Sequence, residues 1–171
     1  MTAGGPTLKK NSELGRLIWK SLLDADMNYR YFGRCAARYQ RWDLGLKIFL
    51  AAATSATVSS WAVWNLSGLS VAWKLLTGVS ALVALSLPFI NMPELLRAAS
   101  SLRGAWFSIL KDYEVLWSRV PDLDDGAARA EYGKIAEEEK KLAELETKIR
   151  RRRRLVLACQ DEVCRARGLR C

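Results

Sequence analysis

No histidine occurs anywhere in the 171 residues, so the commonest general base, the commonest metal ligand and the one side chain that titrates near neutrality are all missing. The four cysteines, Cys35, Cys159, Cys164 and Cys171, fit no zinc spacing. No nucleophile triad and no Gly-rich phosphate loop can be found. The chain therefore reads as a non-enzyme that uses no metal and no cofactor. Aromatic residues are absent from 133 to 171, which deprives that segment of stacking surfaces for base-specific reading and leaves Tyr132 and the tyrosines near the N-terminus as the nearest candidates. Charge is absent from one long stretch: between Lys47 and Glu94 the only charged residue is Lys74.

That uncharged stretch predicts membrane insertion. Ile48 to Trp73 and Leu75 to Pro93 have room for two helices of about 20 residues, the length that crosses a hydrocarbon core, and Asn65, Ser67, Gly68 and Ser70 mark a turn between them. The expected fold class is an all-α membrane protein, with a two-helix transmembrane hairpin flanked by long cytoplasmic helices and ending in a coiled-coil-like helix. The competing reading, a hairpin buried in a soluble bundle, leaves too little other apolar surface to enclose two helices uncharged on every face. Residues 1 to 47 carry nine Lys or Arg and residues 94 to 171 carry seventeen, so both termini are expected on the cytoplasmic side. Trp61, Trp64, Trp73 and Lys74 then sit at the outer interface. The first apolar run begins too late for a cleaved secretory signal. A net charge of +9 and a pI near 9.7 suit an anionic membrane face as well as nucleic acid. Cysteines in cytoplasmic parts are expected to stay reduced.

Six segments follow. Residues 1–12 are a flexible N-terminus. Residues 13–46 form an amphipathic cytoplasmic helix with Leu14, Leu17, Ile18, Leu22 and Ala25, then Tyr31, Cys35, Tyr39 and Trp42, on its apolar side. Beside them Arg30, Arg34, Arg38 and Arg41 make a basic stripe suited to lipid phosphates or a soluble ligand. Residues 47–93 are the hairpin. Residues 94–120 form a further helix with Leu95, Leu102, Trp106, Ile109, Leu110, Tyr113 and Leu116 or Trp117 inward, and Pro121 stops it. Residues 121–126 are an acidic turn. Residues 127–171 read as one charged helix whose Ile135, Leu142, Ile149, Val156 and Val163 recur every seven positions, with Leu145 and Cys159 three residues after two of them. Glu138 and Arg152 spoil that seam, so weak or antiparallel pairing is expected, back onto the helix before Pro121.

Within the first span Ala51, Ser55, Ser59 and Ala62 share a small, weakly polar side, which suits either pore lining or close helix packing. Pro88 would kink the second span. No ionisable side chain lies mid-span, which excludes a pump or a voltage sensor. One hairpin cannot surround water, so a pore needs several copies, and the basic mouth of Arg41, Lys47 and Arg97 would favour anions. The sharpest cytoplasmic feature is Arg150, Arg151, Arg152, Arg153 and Arg154, preceded by Lys148. On a helix five consecutive arginines point in every direction, so no single neighbour pairs them all. Either they are a solvated surface balanced by the glutamates upstream, or they capture phosphates with strong salt dependence.

An Arg- and aromatic-rich helix running into a two-span hairpin (Tyr31, Arg34, Ala37, Arg38, Tyr39, Arg41, Trp42), then a helix with Tyr113, Leu116 and Arg119 and a charged helix, resembles the SLATT family over most of residues 13 to 165. The resemblance implies a homo-oligomeric, pore-forming effector of a bacterial anti-phage defence system, in contact with membrane lipid. It places the chain in the inner membrane as a multi-pass protein with cytoplasmic termini. It also implies control by a nucleotide or short oligonucleotide made by a partner nucleotidyltransferase. The alternative is a non-conducting membrane scaffold or adaptor that recruits a cytoplasmic partner.

Overall fold

The computed structural model describes residues 13–59, 78, 79, 82, 91–147 and 149–169, with side chains for all of these but 53–59 and 144. Among them are four helices, and no strand. They are α1 (Glu13–Ser59), α2 (Met92–Arg119), α3 (Asp125–Glu146) and α4 (Arg153–Ala166). The chain divides into two compact units, Met1–Ala36 with Arg97–Cys171, and Ala37–Leu96.

The membrane expectation is corrected here. Among the described residues no helix is long and apolar enough to cross a membrane, which overturns both the two-span hairpin and the multi-pass inner-membrane placement. The physical reason lies in α1. It carries Asp43 and Lys47, and the uncharged remainder that is described, Ile48–Ser59, stops well short of the about 20 apolar residues that a span takes. Of the expected hairpin, residues 60–77, 80, 81 and 83–90 lie outside the described residues. In the unit Ala37–Leu96 an i,i+4 pair joins Lys47 Nζ to Asp43 Oδ2 at 2.6 Å, and Trp42, Leu44 and Ile48 are exposed on α1.

The larger unit is built on three helices with alternating direction. Trp19 meets Trp117 with ring centroids 4.9 Å apart, and Tyr29 meets Phe107 at 5.4 Å, so α1 and α2 run antiparallel. Arg103 lies over Gly33, where an added Cβ would stand 3.4 Å from its Nε, an ordinary contact. Pro121 follows the last turn of α2, since it cannot supply the next helical N–H. The chain reverses through Arg119–Asp124, where Asp122 and Leu123 donate to the Arg119 carbonyl. Asp124 caps α3 by accepting from the Ala127 amide at 2.9 Å, the expected use of an aspartate at a helix start.

From there α3 returns along α2. Arg119 pairs with Glu131, the Tyr113 hydroxyl donates to Glu139 and the Trp106 indole donates to Glu146, which is antiparallel register. The core collects Ile18, Leu22, Ala25, Tyr31 and Phe32 from α1, Ala99, Leu102, Trp106, Ile109, Leu110, Tyr113 and Leu116 from α2, with Ile149 and, on α4, Cys159 and Val163.

Two sequence expectations change form. The single helix over 127–171 is divided: α3 ends at Glu146 and α4 begins at Arg153, so the heptad seam is not continuous. The thiols are not all reduced either, because Cys164 is disulfide-bonded, while Cys35 and Cys159 are buried thiols. Burial pushes the Cys159 thiol up from its ordinary value, which keeps it protonated and unreactive. Helix α4 ends in a six-to-one bond from the Leu169 amide to the Cys164 carbonyl, with Gly168 at φ +69° in the left-handed region that the motif needs. This stop holds Arg167 against Asp26 and Glu114.

Candidate anion-binding site

The arginine run is the break between α3 and α4, not a helical surface. Arg150, Arg151 and Arg152 lie between the helices, with Arg152 in extended backbone as the residue that precedes α4, and Arg153 and Arg154 begin α4. Arginine is a good helix former, so tertiary bonds must impose the break. Tyr31 supplies them. Its buried hydroxyl accepts from the Arg152 amide at 3.0 Å and donates to the Arg150 carbonyl at 3.4 Å, gripping the backbone on both sides of Arg151. Burial raises the phenol above its ordinary pKa, so it remains a donor throughout the physiological range. Ile149, 2% exposed, anchors the entry to the turn.

The five arginines then divide by role. Arg151 is also exposed, but it is paired, donating to Glu146 Oε2 at 2.7 Å and to Asn28 Oδ1 at 3.2 Å. Arg150, Arg152, Arg153 and Arg154 are exposed, and their guanidinium groups have no partner among the described residues. Four uncompensated cations thus stand on a turn whose backbone is fixed. Lys148 lies outside the described residues.

The basic stripe of α1 is split in the same manner. Arg30 binds Asp26 at 2.7 Å and Glu162 at 3.3 Å, and Arg34 binds Glu162 at 2.7 Å. The Asp26 hydrogen bond is the main reason that the Arg30 pKa is raised. Through Glu162 these two arginines tie α4 to α1. Arg38 and Arg41 are exposed in the other unit, without a partner among the described residues. Of the other expected mouth residues, Lys47 is paired with Asp43, and Arg97 is exposed on α2. Of the residues expected to line a pore, Ala51 is exposed on α1, Ser55 and Ser59 belong to α1 without described side chains, and Ala62 lies outside the described residues.

Beside the turn lies an open recess of about 380 Å³ lined by Asn28, Trp106, Ala136, Glu139, Lys140, Ala143, Glu146 and Arg151. Glu146 is neutralised by Arg151 and also accepts from the Trp106 indole at 3.0 Å. Glu139 accepts from the Tyr113 hydroxyl at 3.1 Å through Oε2. Burial, with Asp24 and Glu146 nearby, raises the Glu139 carboxyl above 4.5, against the lowering effect of the Tyr113 bond. Asn28, Trp106 and Glu146 had no signal in the sequence as site residues, and Tyr31 had none as the anchor of this turn, since the bond that fixes it joins positions 121 apart.

A pH-dependent prediction follows from Glu139. A carboxyl whose folded pKa is raised contributes stability below its unfolded pKa, and that contribution is lost as the pH rises through the folded value. Glu139→Gln keeps an acceptor for Tyr113 and removes the disfavoured charge. Its unfolding midpoint is expected above that of the parent at pH 7, with the gap closing as the pH falls below 4.5. Thermal melts at both pH values check this.

Among the described residues no group of three or more Cys, Asp or Glu is placed to hold a metal ion. No family model, no curated protein and no solved structure matches this chain.

Proposed function

We propose that the larger helical unit is a binding module for a phosphate-rich anion, a nucleotide or short oligonucleotide, held by the turn at Arg150, Arg152, Arg153 and Arg154. One observation carries this reading: the turn is braced from below by Tyr31 and Arg151, yet its four outer guanidinium groups are exposed and unpaired among the described residues. A solvated surface needs no such bracing. A phosphate site does, because pre-fixed donors lose less freedom on binding. The SLATT-like flanks support a partner nucleotidyltransferase as the source of that anion, with the chain as a non-catalytic effector in a defence system. A pore would need two spans per copy, and no described helix supplies one.

Fluorescence anisotropy with a labelled short single-stranded oligonucleotide tests the reading. Changing Arg150, Arg152, Arg153 and Arg154 together to Gln is expected to weaken binding about a hundredfold, from roughly 0.7 kcal/mol per exposed contact. The slope of log affinity against log salt should also flatten by roughly 3, at about 0.7 per lost phosphate contact. Equal affinities for parent and variant would show the run to be solvated surface.

A second reading, an adaptor that recruits a protein partner, draws on the groove between α2 and α3. There exposed Val115 lies with Leu116 and Ile135 among Asp112, Glu131 and Glu138, and burial, together with Glu138, raises the Asp112 carboxyl. A stoichiometric partner lost on Val115→Asp, with oligonucleotide binding intact, would favour it.

A further inference from the structure

We propose that α4 is exchanged between two copies of this chain, and that Tyr31 is the latch that keeps it in place. The connection between α3 and α4, residues 147–152, is short, and the sequence through it reads as one helix. Leu142, Ile149, Val156 and Val163 keep a seven-residue spacing across the break, and residues 134–167 contain no Gly or Pro. Arginine favours a helix. Arg152, the residue before α4, gives that helix no side-chain cap, so nothing within the segment marks a helix start. The break is imposed from outside, by the two bonds of the Tyr31 hydroxyl.

One copy cannot straighten alone. In the closed form α4 folds back: Glu139 on α3 reaches Tyr113, and Arg167 after α4 reaches Glu114, the next residue of α2. A continuous helix from Asp125 to Ala166 would be roughly 60 Å long at 1.5 Å per residue. It would carry α4 away from its seat, uncovering the buried Cys159, Val163 and Cys164. It would also part Glu162 from Arg30 and Arg34, and Arg167 from Asp26 and Glu114.

Two copies can straighten together. Each α4 then fills the seat that the other vacates and remakes the same contacts, so the pair gives up only the bonds of the turn and the free translation of one body. It gains at the crossing. Leu145, 42% exposed in the closed form, joins Leu142 and Ile149 on one side of the straight helix, against the second copy's helix running the opposite way. The partner is a second copy and not a foreign helix because the seat is matched to the charges of α4 and its end: Glu162 meets Arg30 and Arg34, and Arg167 meets Asp26 and Glu114.

Sedimentation of the full chain over a range of concentrations tests the exchange. Tyr31→Phe deletes two bonds from each closed copy and none from an exchanged pair. At about tenfold per copy, with two copies opening for each dimer, its dimer dissociation constant is expected about a hundredfold below the parent's. Adding Arg153→Pro should reverse this. Proline fits the first position of α4, with extended Arg152 before it, but it would break a continuous helix. A charge reversal made with Tyr31 in place separates exchange from surface contact without relying on the first variant. Glu162→Lys repels Arg30 and Arg34 in its own seat, Arg34→Glu repels its own Glu162, and both seats are matched only when the two chains trade helices. Their mixture should dimerise about tenfold more tightly than either alone. A Tyr31→Phe chain that stays monomeric, dimerisation that survives Arg153→Pro, or a mixture no tighter than its components would each overturn the exchange.

Discussion

Asp26→Ala is expected to lower the unfolding free energy of the larger unit by about 3 kcal/mol, a large share of the about 5 to 15 that domains have. Asp26 is 2% exposed, and through Arg167 its ion-pair network ties α1 to the turn after α4 and to α2. Its Oδ1 takes the Arg30 Nε at 2.7 Å, and its Oδ2 takes Arg167 from the turn after α4 at 3.1 to 3.2 Å. Arg167 continues to Glu114 on α2 at 2.7 Å. Removing the carboxylate leaves two guanidinium groups over a small cavity with their attraction gone. The estimate stays at the lower end of the range for a broken buried pair because Arg30 and Arg167 keep about a quarter of their side chains in water and retain Glu162 and Glu114. Urea denaturation checks it: the midpoint falls and the slope is unchanged. Replacing Asp26, Arg30 and Arg167 together by Leu should recover much of the loss, since an apolar triad carries no desolvation cost. A full 3 kcal/mol loss in the triple variant would show that the network stabilises by more than satisfying its own members.

Acid should loosen the same network from its other end. Hydrogen bonds from Lys111 and Arg167 hold the Glu114 carboxyl below its ordinary value. A carboxylate with a depressed folded pKa gives its stability above the unfolded pKa and loses it as the pH falls through the folded one. The Glu114 contribution is therefore complete above 4.5 and fades below it, opposite in sign to that of Glu139.

Local periodicity was enough to read most of the helical core. The three- and four-residue recurrence of Ile18, Leu22 and Ala25, and of Leu102, Trp106, Ile109, Tyr113 and Leu116, marks side chains that are buried. The same recurrence misled at its margins: Leu17 and Trp42 belong to the pattern and are exposed, because a helical face shows which residues align and not what covers them. The division between α3 and α4 could not be read. Ile149 and Val156 keep their seven-residue spacing across it, and the intervening arginines favour a helix, while the bonds that open the chain come from Tyr31, more than a hundred positions away. The stretch from Ile48 to Pro93, whose only charge is Lys74, was read as two spans. Absence of charge is a necessary condition for a span, and the described helices do not meet the remaining one, a long apolar run. Arg150 to Arg154 were legible as a cluster of cations. That Arg151 alone of them is paired was not legible, since it depends on where Glu146 and Asn28 lie.

Tyr31 should therefore matter more to the arginine turn than any single arginine does. Tyr31→Ala removes a fully buried aromatic that packs edge-on to Phe32 at 5.2 Å, and it is expected to cost about 3 to 5 kcal/mol. Tyr31→Phe separates packing from positioning. It keeps the ring and deletes the two bonds to the turn, for a stability loss of about 1 to 2 kcal/mol, smaller than a typical buried orphan because water can reach the exposed turn. Nothing in this change touches a guanidinium group. If the four outer arginines act through a fixed arrangement, Tyr31→Phe should weaken oligonucleotide binding several-fold with the salt slope unchanged, since the same phosphates are met by a looser set of donors. If they act as a diffuse cloud of charge, the affinity should not move while the unfolding midpoint still falls. Measured together, affinity, salt slope and midpoint distinguish a built site from a basic surface, because only a built site loses affinity when the charge is left untouched.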